Sequence, residues 1–139
     1  MPAATINRFW TEPYLTSLET RIASVEGEIV TLAETIFYAF SGGQESDKGT
    51  IGGHDVLEAR KDGDTIRYRL ATDHGLQAGD SVTVTIDWER RYRLMRLHFA
   101  AEIVLELAYR SLQGVEKTGA HIAQDKARID FAWPESVAP

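Results

Sequence analysis

The sequence predicts an α+β fold in which a small antiparallel β-barrel is followed by one long helix and a β-hairpin. Residues 88–112 contain neither Gly nor Pro, which is typical of a helix. Before them, five or six short β-rich runs recur at intervals of about ten residues, as in small barrels. We therefore expect a barrel-like domain over residues 1–87 and a second part, built on the helix, over residues 88–139.

The strands of the first part are predicted from runs of apolar and β-branched residues bounded by turn residues. These runs cover residues 18–25, 28–33, 35–40, 50–60, 64–70 and 81–86. Glu26-Gly27 and Asp62-Gly63 are typical of hairpin turns. Residues 1–4 are expected to form a loose terminus, and residues 41–49, rich in Gly, Ser and Asp, predict a loop.

The helix is predicted from apolar residues spaced three and four apart, which form one stripe along a helical surface. The stripe consists of Leu94, Leu97, Ala101, Leu105, Ala108 and Leu112. Asp87 precedes the helix and is an N-cap candidate, because its carboxylate can accept a free backbone N–H of the first turn. Gly114 is a natural stop. Residues 119–123 and 126–131 then predict a hairpin that turns at Gln124-Asp125.

Composition limits the classes of function. The net charge is −6 and the pI is near 5.2, so binding to nucleic acid would need a local basic patch. Cysteine is absent, which excludes disulfides, thiolate nucleophiles and cysteine-ligated zinc within this chain. The chain shows neither a secretory signal nor a run of 18 apolar residues, so we expect a cytoplasmic protein without a membrane association.

The helix carries the residues that point to chemistry. Arg90, Arg91, Arg93 and Arg96 concentrate positive charge in its first turns. These guanidinium groups either bind phosphate oxygens or pair with acidic residues of the chain itself. We favour a phosphate role for at least two of the four and expect two contacts. His98 and Glu102 stand at i and i+4, a spacing that suits a metal pair, an acid/base pair or an ordinary salt bridge.

Three separate segments resemble the alanyl-tRNA editing proteins, the AlaX family, which are related to the editing domain of alanyl-tRNA synthetase. Residues 35–53, TIFYAFSGGQESDKGTIGG, are similar to the family's Phe-Tyr, Ser-Gly-Gly-Gln and Asp-x-Gly loop. Residues 79–98 resemble its strand and arginine-rich helix entry, and residues 119–131 its following hairpin. The resemblance implies that the helix and hairpin begin a two-layer α/β editing core. It also implies hydrolysis of the ester of mischarged tRNA, commonly seryl-tRNA for alanine, at a zinc site.

The chain departs from the family pattern at the metal. The usual His-x-x-x-His motif is replaced by His98 and Glu102, and a downstream Cys-Gly-Gly-Thr-His segment that completes the family's site has no counterpart. A catalytic zinc takes three protein ligands and keeps one open position. We therefore expect this chain alone to be inactive and to retain no stoichiometric zinc. A fragment, a split protein completed by a partner or a second copy, and a degenerate relative all remain open.

The resemblance also assigns roles outside the metal pair. It places the Ser41, Gly42, Gly43 and Gln44 loop near the aminoacylated acceptor end of tRNA, with His121 on the wall of the site. Without it, the glycine-rich loop would be an ordinary turn and His98 a structural histidine. Two functions therefore compete: an aminoacyl-tRNA editing hydrolase, and a catalytically incomplete tRNA-binding or interaction module.

Overall fold

A computed structural model describes residues 4–135 of the chain. The strands in this range are β1 (Ile6–Asn7), β2 (Ser17–Glu26), β3 (Ile29–Leu32), β4 (Glu34–Thr35), β5 (Gly49–Ile51), β6 (His54–Asp55), β7 (Glu58–Asp62), β8 (Thr65–Arg69), β9 (Ser81–Ile86), β10 (Glu116–Ile122) and β11 (Ala127–Ala132). A short 3₁₀ turn spans Arg8–Trp10, and the helix α1 spans Trp88–Ser111. The loose terminus predicted at residues 1–4 lies outside the described residues except for Ala4.

Seven of these strands form one antiparallel sheet, in the order β6-β5-β9-β2-β3-β8-β7. Its edge strands β6 and β7 are separated in the chain by only Val56 and Leu57. The N–H of Val56 donates to Gly49 O and that of Leu57 to Arg69 O, so the link is tied to strands near both edges. Two residues are too few to connect the opposite edges of a flat seven-stranded sheet, so the sheet curls into a half-barrel. The predicted α+β fold is confirmed.

The interior of the half-barrel is built by alternation along the strands. In β9 the side chains of Val82, Val84 and Ile86 are buried while the intervening polar residues are exposed, as the sequence predicts for 81–86. Tyr68 is completely buried, and its hydroxyl is 2.8 Å from Thr35 Oγ1 and donates to Phe37 O at 2.9 Å. These bonds satisfy the phenol that the apolar core would otherwise leave without partners.

Two predicted strands differ in the structure. The run 50–60 is divided, because Gly52 and Gly53 adopt φ of 58° and 81° and turn the chain between β5 and β6. The run 35–40 is paired only at its start, where β4 lies parallel to β1. Farther along, Asp47 forms two hydrogen bonds with the backbone of Tyr38. Its Oδ2 accepts from Tyr38 N at 2.8 Å, and its N–H donates to Tyr38 O at 2.9 Å.

The chain divides into two compact units. One joins the chain up to Ser41 with Ser46–Trp88, and the other joins Gly42–Glu45 with the chain from Glu89 onward. Within the second unit, Leu94 and Ala101 of α1 pack with Ile122 of β10, as the predicted stripe requires. Gly114 ends the helical segment with φ of 80°. The predicted hairpin is confirmed as β10 and β11. N-capping by Asp87 stays a prediction.

A second row of apolar side chains lies on the opposite side of α1. Phe99, Ile103 and Leu107 follow one another at intervals of four residues and are largely exposed. Along the described chain, no helix combines the length and the apolar character that crossing a bilayer requires. Rows of this kind on a helix commonly mark a surface that another polypeptide covers.

Candidate functional site

The candidate site begins with the segment Gly42–Glu45, which adds itself to β10 of the second unit. Ile122 N donates to Gly43 O at 2.7 Å, and Glu45 N donates to Ile122 O at 2.9 Å. Gln44 is thereby bridged to Ile122 in parallel. This backbone pairing holds the side chains of Gln44 and Glu45 against residues of α1 and β10.

Gly43 makes the close approach of this segment possible. A Cβ at this position would lie 2.5 Å from Ala120 O, and the φ of 85° is one that other residues rarely adopt. Gly42 also has positive φ, at 58°, but a Cβ there would meet nothing within 4 Å. The first glycine therefore serves the turn, whereas the second also serves contact with β10.

Gln44 orients His98. Gln44 Oε1 lies 2.8 Å from His98 Nδ1. An amide oxygen can only accept, so Nδ1 carries a proton and donates, which leaves Nε2 of a neutral ring with its lone pair. Nε2 is 3.4 Å from Glu102 Oε1. Two acceptors face each other in that arrangement, which is favourable when a cation, either a proton or a metal ion, lies at Nε2.

The geometry of this pair fits part of a zinc site. Two ligands of a tetrahedral zinc, each about 2.0–2.2 Å from the metal, stand about 3.3–3.6 Å apart, and His98 Nε2 and Glu102 Oε1 are 3.4 Å apart. An acceptor bound to the far nitrogen of a ligating histidine, as Gln44 is here, is also usual at metal centres. However, no group of three His, Cys, Asp or Glu suited to a metal occurs among residues 4–135.

Glu45 joins two further elements of the same unit. Its Oε2 accepts from His121 Nε2 of β10 at 2.7 Å, and its Oε1 accepts from an Arg90 guanidinium nitrogen at 3.1 Å. The hydrogen bond from His121 is the main reason that the pKa of Glu45 lies below its usual value; burial opposes this lowering and Arg90 adds to it. Glu45 is therefore an ionised carboxylate whose hydrogen bonds connect the loop to the helix and to the hairpin.

Burial separates the four arginines predicted to contact phosphate. Arg90 and Arg91 are only 8% and 3% exposed, so in this conformation they are not presented to an external phosphate. Arg93 is exposed and paired with Glu89 at 2.7 Å, and Arg96 is exposed with its guanidinium 5.8 Å from the Tyr92 ring centroid. A phosphate role for the four arginines stays a prediction, and Arg93 and Arg96 are the two that are exposed.

Comparison with known proteins identifies the family. The family described as tRNA synthetases class II (A) matches residues 8–90, more than half of the chain. The alanyl-tRNA editing protein AlaX-M of Saccharolobus solfataricus is 36% identical over 126 residues, which cover 86% of this chain and 53% of that protein. The chain belongs to the AlaX-type alanyl-tRNA editing family.

Other relatives agree with this assignment. AlaX-M of Pyrococcus horikoshii is 32% identical over 133 residues, covering 93% of this chain and 61% of that protein. The alanine–tRNA ligase of Staphylothermus marinus is 38% identical over 135 residues, 94% of this chain but 15% of the ligase. The chain thus spans a little over half of the length of these AlaX-M relatives, and the family predicted from its motifs is confirmed.

In this AlaX-type chain, Ser41 belongs to the unit of the half-barrel. The hydroxyl of Tyr38 lies 2.7 Å from both Ser41 O and Ser41 Oγ. Together with Asp47, which binds the backbone of Tyr38, this contact fixes the chain on both sides of Gly42–Glu45. Tyr38, Ser41 and Asp47 of the family motif therefore hold the chain where the Gly42–Glu45 segment begins and ends.

Sequence reasoning did not single out Glu45. A carboxylate within a loop of Gly, Ser and Asp carries no periodicity that would relate it to residues 45 and 76 positions away, where Arg90 and His121 stand. Only the pairing of the loop with β10 brings the three together. Gln44 was predicted to contact the acceptor end of tRNA, and its bond to His98 adds an orienting role.

The low pKa of Glu45 makes stability depend on pH. Its folded-state pKa lies below the unfolded value, so the stabilisation is present above about pH 4.3, the unfolded value, and is lost as pH falls through the folded pKa. Urea unfolding of Glu45→Gln and the parent chain should therefore differ at pH 7 and converge toward pH 3. Glu89→Gln, at an exposed pair, is the control with little effect; a constant difference for Glu45→Gln across this range contradicts the prediction.

Proposed function

We propose that the chain is an aminoacyl-tRNA editing protein that hydrolyses the ester of mischarged tRNA, with seryl-tRNA for alanine as its substrate. The observation that carries the proposal is the orientation of His98 by Gln44, with Glu102 at 3.4 Å from the other ring nitrogen. Membership of the AlaX-type family supports the same activity.

The residues of the second unit have separate roles in the proposed reaction. His98 and Glu102 would hold a zinc ion, which supplies a nucleophile by lowering the pKa of water toward ~7. Gln44 keeps the lone pair of His98 on Nε2. Gly42 and Gly43 would contact the aminoacylated end of the tRNA, as the resemblance of their loop to the family motif implies. His121, held by Glu45, forms a polar wall.

The proposal includes a ligand from another polypeptide segment, because two ligands are fewer than a catalytic zinc requires. The exposed row of Phe99, Ile103 and Leu107 is a surface on which such a segment, a partner chain or a second copy would pack.

Hydrolysis in excess zinc tests the activity. The chain alone is expected to be inactive without added zinc. Because excess metal loads even a weak site, the chain should slowly release serine from seryl-tRNA when zinc is in excess, and His98→Ala should remove this zinc-dependent part. His54→Ala, in the half-barrel, is the matched histidine control and should keep it. Binding of the tRNA without zinc-dependent hydrolysis would contradict the hydrolase and favour the tRNA-binding module. Absence of both binding and hydrolysis would contradict both functions.

Zinc retention is a separate expectation. After extensive dialysis at neutral pH, elemental analysis of the purified chain should find well below one zinc per chain, because His98 and Glu102 alone do not form a tight site. About one zinc per chain would contradict this. In that case His98→Ala and a determination of oligomeric state would show whether a second copy completes the site.

The alternative function is a catalytically incomplete tRNA-binding module. It is favoured by the absence of a third metal ligand among residues 4–135 and by the exposure of Arg93 and Arg96. If these two arginines neutralise phosphates, the logarithm of the tRNA binding constant should fall by about 0.7–0.9 per phosphate for each log unit of salt.

Replacing both arginines tests this contact. Arg93→Ala/Arg96→Ala should weaken tRNA binding at low salt and reduce the slope against log salt by up to about 2. Arg110→Ala, in the last turn of the same helix and paired with Glu106, is the control. An unchanged slope in a folded double variant would leave the arginines without a phosphate role.

A further inference from the structure

The half-barrel unit exposes an aromatic ring beside its end of the Ser-Gly-Gly-Gln loop. Trp10 is 72% exposed, although a large apolar ring in contact with water is unfavourable without a partner. Its centroid is 5.2 Å from Phe9 and 6.5 Å from Tyr38, and Phe9 is 5.3 Å from Tyr38. The three rings therefore form one cluster with Trp10 outermost.

The orientation of the rings leaves the indole available. The planes of Trp10 and Phe9 are tilted by 57°, and those of Trp10 and Tyr38 meet edge-on at 83°, so neither neighbour stacks on the Trp10 face. The two supporting rings limit the movement of Trp10 without covering it. A flat ligand could stack on the exposed indole at little entropic cost.

The cluster contacts Ser41, the residue of the Ser-Gly-Gly-Gln loop that belongs to the half-barrel unit. Tyr38, which supports Trp10, also binds Ser41 through its hydroxyl at 2.7 Å. The patch is small, and Arg8 and Glu12, two residues before and after Trp10 in the sequence, form an exposed ion pair at 3.3 Å. A stable protein interface buries about 800 Å² on each partner, much more than one indole offers. A single unpaired nucleobase, by contrast, needs only one aromatic face.

We propose that Trp10, supported by the tilted ring of Phe9 and the edge-on ring of Tyr38, is a stacking platform for an unpaired base in the 3′ end of tRNA. The proposal rests on the proposed tRNA-directed function and adds a nucleobase subsite to it. Stacking on an aromatic ring tolerates different bases, so the platform holds the strand without reading its sequence. It would hold one unpaired base of the tRNA end within the half-barrel unit, where Tyr38 also contacts Ser41.

Binding of two tRNA forms to matched variants tests the platform. The ligands are deacylated tRNA and the same tRNA from which the unpaired 3′ nucleotides have been removed. Trp10→Ala should weaken binding of the intact form by roughly 5- to 150-fold and leave binding of the trimmed form unchanged. Trp10→Phe, which keeps an aromatic face, should retain most of the affinity. Tyr14→Ala, at another exposed ring that contacts Trp88 instead, is the control.

Each outcome decides between the proposals. Equal binding of intact tRNA by the parent chain and Trp10→Ala overturns the platform and leaves the tRNA function in place. Equal weakening of the intact and trimmed forms also overturns it, because the effect would then not depend on the unpaired end. Failure of the parent chain to bind either form contradicts the proposed function itself and overturns the platform with it.

Discussion

Replacing Gly43 with Ala is expected to release the Gly42–Glu45 segment from β10. The new Cβ would lie 2.5 Å from Ala120 O, in a left-handed backbone conformation. The conformation costs about 1–2 kcal/mol and the overlap about 1–3 kcal/mol more, so the backbone should move instead. Chemical denaturation should show a lower free energy of unfolding. NMR should show that the ring resonances of His98 and His121 shift, because Gln44 and Glu45 no longer bind them.

Gly42→Ala separates the steric effect from the conformational one. Gly42 also has positive φ, but no atom lies within 4 Å of its added Cβ. This variant should lose only the conformational part and keep the two histidine environments. Equal losses in both variants, or unchanged histidine resonances in Gly43→Ala, would show that the contact with Ala120 does not control the segment.

Leu94→Ala is expected to cost about 2–5 kcal/mol of unfolding free energy. Leu94 is 0% exposed and packs with Ala101 and Ile122 in the small core between α1 and the hairpin. Because so few side chains form this core, little remains to fill the cavity. The ring resonances of His98 and His121 should therefore broaden in NMR spectra even at temperatures at which the half-barrel remains folded.

Leu107→Ala is the matched control on the same helix. Leu107 is 57% exposed in the outer row of α1, so its truncation should change the unfolding free energy by less than about 0.5 kcal/mol. A large loss for Leu107→Ala would show that this row is covered in solution, as a second copy of the chain would do. Repeating the measurement over a range of protein concentrations distinguishes that case.

Local pattern was sufficient for much of the fold. The alternation in 81–86 and the stripe of Leu94, Leu97 and Ala101 were correct, because burial on one side of a strand or helix imposes its period on the sequence. The run 50–60 was predicted wrongly. It was predicted as one strand, but Gly52 and Gly53 turn the chain within it.

The sequence by itself determined the α+β fold class, the extent of α1 and its hairpin, the family, and the i,i+4 relation of His98 and Glu102. The tertiary structure alone decided that Gln44 orients His98, that Glu45 joins Arg90 to His121, and that two of the four arginines are buried. The reason is physical. Periodicity records only which side of its own element a residue occupies, whereas these contacts arise when a glycine loop pairs with a strand about 80 residues later, and no local pattern encodes that pairing.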